Sequence, residues 1–118
     1  MTSEWPSEIR LNTARNLLTI TFENGEKVAL PAEYLRVSSP SAEVQGHSRA
    51  ERKVLGGKRN VLITAVEPIG NYAVRLIFGD GHATGLYTWV YLLELGRNQE
   101  TYWAKYLEEL AARGLSRD

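Results

Sequence analysis

The residues that could carry chemistry are few. His47 and His82 are the only two imidazoles in the 118-residue chain, and it contains no cysteine. The missing thiols exclude disulfides, thiolate metal sites, iron–sulphur ligation and cysteine nucleophiles. A serine-histidine-aspartate triad needs an activated serine beside an imidazole, and no Gly-x-Ser-x-Gly elbow occurs. A non-haem iron facial triad needs two histidines and a carboxylate converging on one point. Its compact His-x-Asp start is absent, since Ser48-Arg49 follows His47 and Ala83-Thr84 follows His82. Gly56-Gly57-Lys58 loosely resembles a phosphate loop but lacks the trailing hydroxyl and a helix-forming continuation.

The densest group is Gly79-Asp80-Gly81-His82. On one reading the turn presents Asp80 and His82 as paired polar groups, able to ligate a metal or touch a partner. On the other, Asp-Gly simply makes a hairpin and His82 is an exposed strand residue. A second feature is the stretch Gly46 to Asn60, where Arg49, Arg52, Lys53, Lys58 and Arg59 stand against Glu51. It is either an anion-contacting segment or a solvated loop. Tyr87, Trp89, Tyr91, Tyr102, Trp103 and Tyr106 crowd the last third. Helical spacing assigns most of them to the core, while tyrosine hydroxyls at a rim can form a binding surface.

The elements that position these groups follow from periodicity. Ile9, Leu11, Leu18, Ile20 and Phe22 alternate with polar residues, which predicts two strands joined near Ala14–Asn16. Asn24-Gly25 signals a type I′ turn into a third strand, Lys27–Leu30. Pro31 is expected to open a short helical turn over Ala32–Arg36. From Ser38 to Asn60 the pattern dissolves into a long loop. Val61–Val66 and Asn71–Phe78 read as strands, and the latter is expected to return through Asp80-Gly81 into Ala83–Tyr87. That register sets Phe78 opposite Ala83, Ile77 opposite Thr84 and Leu76 opposite Gly85. Val74, Leu76, Phe78 and Tyr87 then share one face, with His82 at the rim of the other.

Thr88 is expected to cap a helix from Trp89 to Leu95 that stops at Gly96. Asn98 is expected to cap a second, Gln99 to Arg113, with Trp103, Tyr106, Leu107 and Leu110 facing inward. Strands first and helices last indicate an α+β domain: a mostly antiparallel sheet of about five or six strands with two C-terminal helices packed against it. Residues 1–118 read as a single domain with a long loop at about 38–60.

Fourteen basic and fourteen acidic residues cancel, so no overall field draws nucleic acid or an anionic membrane. No apolar run approaches the length of a membrane span, and no basic-then-apolar leader precedes the first strand. The expectation is a soluble, cytoplasmic chain.

The segment Leu30-Pro31-Ala32-Glu33-Tyr34-Leu35-Arg36 and the later run from Ile77 through Gly79-Asp80-Gly81-His82 and Leu86-Tyr87-Thr88-Trp89 to Leu92 resemble the γ-butyrobetaine hydroxylase-like N-terminal domain. The likeness extends from about Ile9 to about Leu110. In eukaryotic hydroxylases and related trimethyllysine dioxygenases, this domain precedes a separate Fe(II)/2-oxoglutarate oxygenase domain. There it carries a structural zinc on three cysteines and one histidine. The resemblance aligns the cysteine positions with Ser39, Ser41 and Val44, and the histidine with His82. Hydroxyl and isopropyl groups do not replace thiolates, and one imidazole does not make a four-ligand structural site. The resemblance therefore implies no cofactor, with zinc conceivable only in a site rebuilt around His82. No counterpart of the oxygenase half lies within these residues, so a non-catalytic chain is expected. A similar appendage on some Mrp-type iron–sulphur carriers implies, by analogy alone, an accessory role near iron–sulphur protein assembly.

These readings converge on a non-enzymatic accessory domain that binds an unidentified protein partner, not nucleic acid or membrane. Its expected surface comprises Arg36, Asp80, His82 and Tyr87. A metal-binding protein centred on His82, with Asp80 and His47 as helpers, is the alternative. An enzyme working with carboxylates alone is the third.

Overall fold

The computed structural model describes residues 5–41 and 54–118. His47, Val44, Arg49, Arg52 and Lys53 lie outside these residues. The first sheet is antiparallel in the order β1 (Pro6–Leu11), β2 (Leu17–Phe22), β3 (Lys27–Pro31). Alternation in β2 turns Leu18, Ile20 and Phe22 into the core, each at most 1% exposed, and leaves the threonines between them on the other face. Pro6, which has no N–H to donate, sits in an edge strand. The helix α1 (Ala32–Val37) follows directly.

A second antiparallel sheet runs β4 (Ile63–Ile69), β5 (Ala73–Phe78), β6 (Leu86–Thr88). The chain ends in α2 (Trp89–Arg97) and α3 (Gln99–Ala112). The fold is thus α+β, and among the described residues six strands are divided between two three-stranded sheets. The turn between β1 and β2 ties the sheets together. Arg15 accepts from the Ile63 amide at 2.8 Å through its carbonyl, and its guanidinium donates to the Thr64 carbonyl at 2.8 Å. Among the described residues no helix is long and apolar enough to cross a membrane.

Several expectations change in detail. The strand expected at Val61 begins at Ile63 and continues to Ile69. Gly96 does not stop α2. A Cβ there would lie 2.2 Å from Val28 Cγ1, so the glycine lets the helix lie close against β3. Thr88 does cap α2, its Oγ1 accepting from the Tyr91 amide at 3.1 Å. Asn98 makes no side-chain cap for α3; its Nδ2 instead donates to the Glu94 carbonyl and closes the end of α2. Leu107 is 40% exposed, and α3 turns Tyr106 and Leu110 inward instead. These two pack with Val37, Val54 and Leu55 in a small second core. Residues 38–41 and 54–60, expected in a long loop, therefore have packed ends.

Candidate functional site

The helix α1 positions the site. All six of its residues are buried, including the charged Glu33 and Arg36 at 6% and 8% exposure. Burying an ion is costly unless it is paired, and each finds a partner from a distant segment. Glu33 accepts two hydrogen bonds from Arg117, at 2.8 and 2.6 Å. Arg36 Nε donates to Asp80 Oδ2 at 2.8 Å, whereas its Nη1 is buried without a hydrogen-bond partner among the described residues. Pro31, expected as the first helical residue, is the extended residue just before the helix. Tyrosine hydroxyls fasten the surroundings: Tyr87 donates to the Leu35 carbonyl at 2.6 Å and Tyr91 to the Ser38 carbonyl at 2.5 Å. Tyr34 reaches back from α1 to the Leu95 carbonyl at 2.7 Å. Burial pushes the Tyr34 and Tyr87 hydroxyls well above the usual phenol range.

Asp80 stands on the turn after β5. Phe78 N donates to the His82 carbonyl at 2.9 Å, and Gly81 N to the Phe78 carbonyl at 3.0 Å. Gly81 has φ +94°, while Arg15 is the sole non-glycine residue described with positive φ. This is a three-residue loop with a left-handed glycine, not the two-residue turn expected. The returning chain also carries an extra residue. Ala73, Val74 and Arg75 pair with Thr88, Tyr87 and Leu86 in the register expected, but the pairs nearest the turn, Phe78–Ala83, Ile77–Thr84 and Leu76–Gly85, do not form. Ala83–Gly85 leaves the ladder and turns toward the segment after α1.

That departure buries His82, to 6% exposure, and brings it to Ser39: Oγ and Nε2 share a hydrogen bond of 2.8 Å. Ser41 and Thr84 hydroxyls meet at 2.7 Å, and the Ser41 amide donates to Ser39 Oγ at 3.2 Å. Gly85 is required here, since a Cβ would come within 2.6 Å of Ser39 Oγ.

Asp80 gathers three donors. Its Oδ1 accepts from the His82 amide at 3.1 Å; its Oδ2 accepts from Arg36 and from Lys58 Nζ, the latter at 2.6 Å. Burial alone would raise this carboxyl, but the hydrogen bonds from Lys58, the His82 amide and Arg36 outweigh it and hold it at about 2. Lys58 is itself held from both sides. Gly57 N donates to the Ser116 carbonyl and Arg59 N to the Arg117 carbonyl, both at 3.0 Å. Gly56 admits this strap, because a Cβ there would lie 2.7 Å from Ser116 O.

The structure thus joins Arg36, Asp80 and His82 in one cluster. Tyr87 belongs to its foundation, at 0% exposure, and offers no surface. Sequence reasoning missed Lys58 as the second cation on Asp80, and Ser39 and Thr84 as contacts of the hairpin. The glycine pair before Lys58 was the available signal, since paired glycines mark close backbone approach as readily as phosphate binding.

A zinc of the kind the resemblance describes does not fit. Ser39 and Ser41 offer neutral hydroxyls engaged in hydrogen bonds, and Val44 is outside the described residues. Among the described residues no group of three or more His, Cys, Asp or Glu could hold a metal ion.

Elsewhere, an open groove of about 670 Å³ lies between α1, α2 and α3, with Glu33, Trp103 and Arg117 in its wall. Arg117 lies over the Trp103 ring at 5.3 Å while it pairs with Glu33. The groove is therefore closed on one side by an ion pair already complete.

Fold and site together define a small α+β domain whose distinctive feature is a charged hairpin tip set on a buried helix. Residues 9–93 match the model of the gamma-butyrobetaine hydroxylase-like, N-terminal family, and the chain belongs to that family. Two NMR solution structures are similar. One is 49% identical over 99% of this chain and 92% of its own, with a TM-score of 0.85. The other is 44% identical over 99% and 90%, with a TM-score of 0.83. A crystal structure of a DUF971-family protein of unknown function from Acidithiobacillus ferrooxidans is 36% identical. It covers 77% of this chain and 91% of its own, with a TM-score of 0.65. Among functionally curated proteins no relative matches the chain.

Proposed function

We propose that this chain is a non-catalytic accessory domain that binds a protein partner through the hairpin tip around Asp80, Lys58 and Arg36. The observation that supports this reading is the charge arrangement. Two cations converge on one carboxylate oxygen at a turn that the fold holds from several distant segments. A hairpin needs none of this to close. The family likeness extends the proposal to a role beside iron–sulphur protein assembly, as an analogy. Tagged wild-type chain and a Lys58→Glu variant, each expressed at native level in the source cells, provide the test. The wild type should retain a partner that the variant loses. Equal retention by both, or none by either, would count against the reading.

A further inference from the structure

We infer that the hairpin tip is a receptor for a single carboxylate, presented by an acidic side chain of the protein partner. This rests on the interaction reading above and names the chemistry of its ligand. Arg36 and Lys58 bring two positive charges to Asp80, which returns one negative charge. Among the described residues the cluster therefore carries one unbalanced positive charge.

The hydrogen-bond count agrees with the charge count. Arg36 is 8% exposed, and its Nη1 donor has no partner among the described residues. A buried charged donor left unpaired is costly, so natural structures seldom keep one without use. Lys58 Nζ carries three donors; one goes to Asp80, and the described residues take no other. With its side chain 21% exposed, Lys58 is the reachable member, while Arg36 lies beneath it.

Lys58 is also placed rather than loose. The amides on either side of it are fixed to Ser116 and Arg117, and Val61 N donates to the Lys58 carbonyl at 3.1 Å. A surface lysine on a free loop would lose side-chain and backbone entropy on binding; here much of that ordering is already in the fold.

The size of the excess selects the ligand. One carboxylate cancels one charge, whereas a phosphate dianion would leave a negative remainder beside Asp80. A nucleic-acid backbone would need a continuous basic track. Among the described residues the neighbouring Arg59 is instead paired with Asp118 at 2.5 Å, and the formal net charge of the chain is zero.

The test is a titration of the ¹⁵N-labelled full chain with a blocked Gly-Glu-Gly peptide, which carries one carboxylate, beside inorganic phosphate and sodium chloride at matched ionic strength. The peptide should give saturable shifts at the Arg36 Nε–H and the Lys58, Asp80 and Gly81 amides. Affinity should fall about tenfold in Lys58→Gln and survive in Lys58→Arg, once melting curves show both folded. Shifts no larger than the chloride control, or equal affinity in wild type and Lys58→Gln, would overturn the inference. So would phosphate binding more tightly than the peptide. A natural partner that uses another surface would leave these peptide shifts intact, so this inference and the broader reading fail separately.

Discussion

The turns after β2 and β5 are nearly the same object. Phe22 N donates to the Glu26 carbonyl and Gly25 N to the Phe22 carbonyl, as Phe78 and Gly81 do with His82 and Phe78. Asn24 Oδ1 accepts from the Glu26 amide at 2.8 Å; Asp80 Oδ1 accepts from the His82 amide at 3.1 Å. Gly25 and Gly81 have φ of +91° and +94°. The turns part only beyond this shared frame. The first continues into a regular ladder through Thr21 and Lys27. The second carries an aspartate in place of an asparagine, and its return leaves the sheet until Leu86. The carboxylate adds a second oxygen and a charge, and through them the second turn reaches Arg36 and Lys58. Local hydrogen bonding makes a hairpin; long-range charge distinguishes one of the two as the proposed site.

Substitutions at the two turns, and one change of condition, sharpen or break this comparison. Asp80→Asn keeps the turn's local acceptor but strands Arg36 as a buried cation, so it should cost about 2–4 kcal/mol in urea unfolding. Equal stability to wild type would mean the ion pairs add nothing to the turn. Gly85→Ala has no counterpart in the first hairpin. It should cost about 2 kcal/mol, because the added methyl meets Ser39 Oγ, and the Ser39–His82 resonances should shift with it. Gly25→Ala and Gly81→Ala should each cost about 1 kcal/mol, and to similar extents. Both positions have positive φ with open space for a Cβ. A large difference in melting temperature between them would show that the two frames are not equivalent.

The smallest effect is one of pH. The folded Asp80 carboxyl lies at about 2, below its ordinary value of 3.8. Its stabilisation is therefore present above about pH 4, declines as pH falls, and is lost near pH 2. After solvent screening it amounts to about 1 kcal/mol. Acid unfolding of Asp80→Asn should lack this component, and Asn24→Asp should not restore it.

Much of the frame was legible in the sequence. Alternation in β2 and the shared face of Val74, Leu76, Phe78 and Tyr87 follow directly from period two, and all are buried. Arg36, Asp80 and His82 stood out as polar residues on short elements, and the fold brings them together. Other features depend on contacts that no local pattern encodes. Gly96 reads as a helix stop unless Val28 is known to lie against it. Lys58 meets Asp80 across 22 positions and Ser39 meets His82 across 43. The ladder keeps the register expected from period two, through Ala73–Thr88, Val74–Tyr87 and Arg75–Leu86, and the burial of His82 comes from the extra residue the return carries before it rejoins that ladder.

The central claim is that the second turn, and not its twin, meets the partner. Charge reversal at each tests it directly: Lys58→Glu beside Asp80, and Lys27→Glu beside the Asn24 turn, both expressed with wild type in the source cells. The account predicts that Lys27→Glu retains the wild-type partner and Lys58→Glu releases it. Retention by both variants, with both shown to be folded, would contradict it.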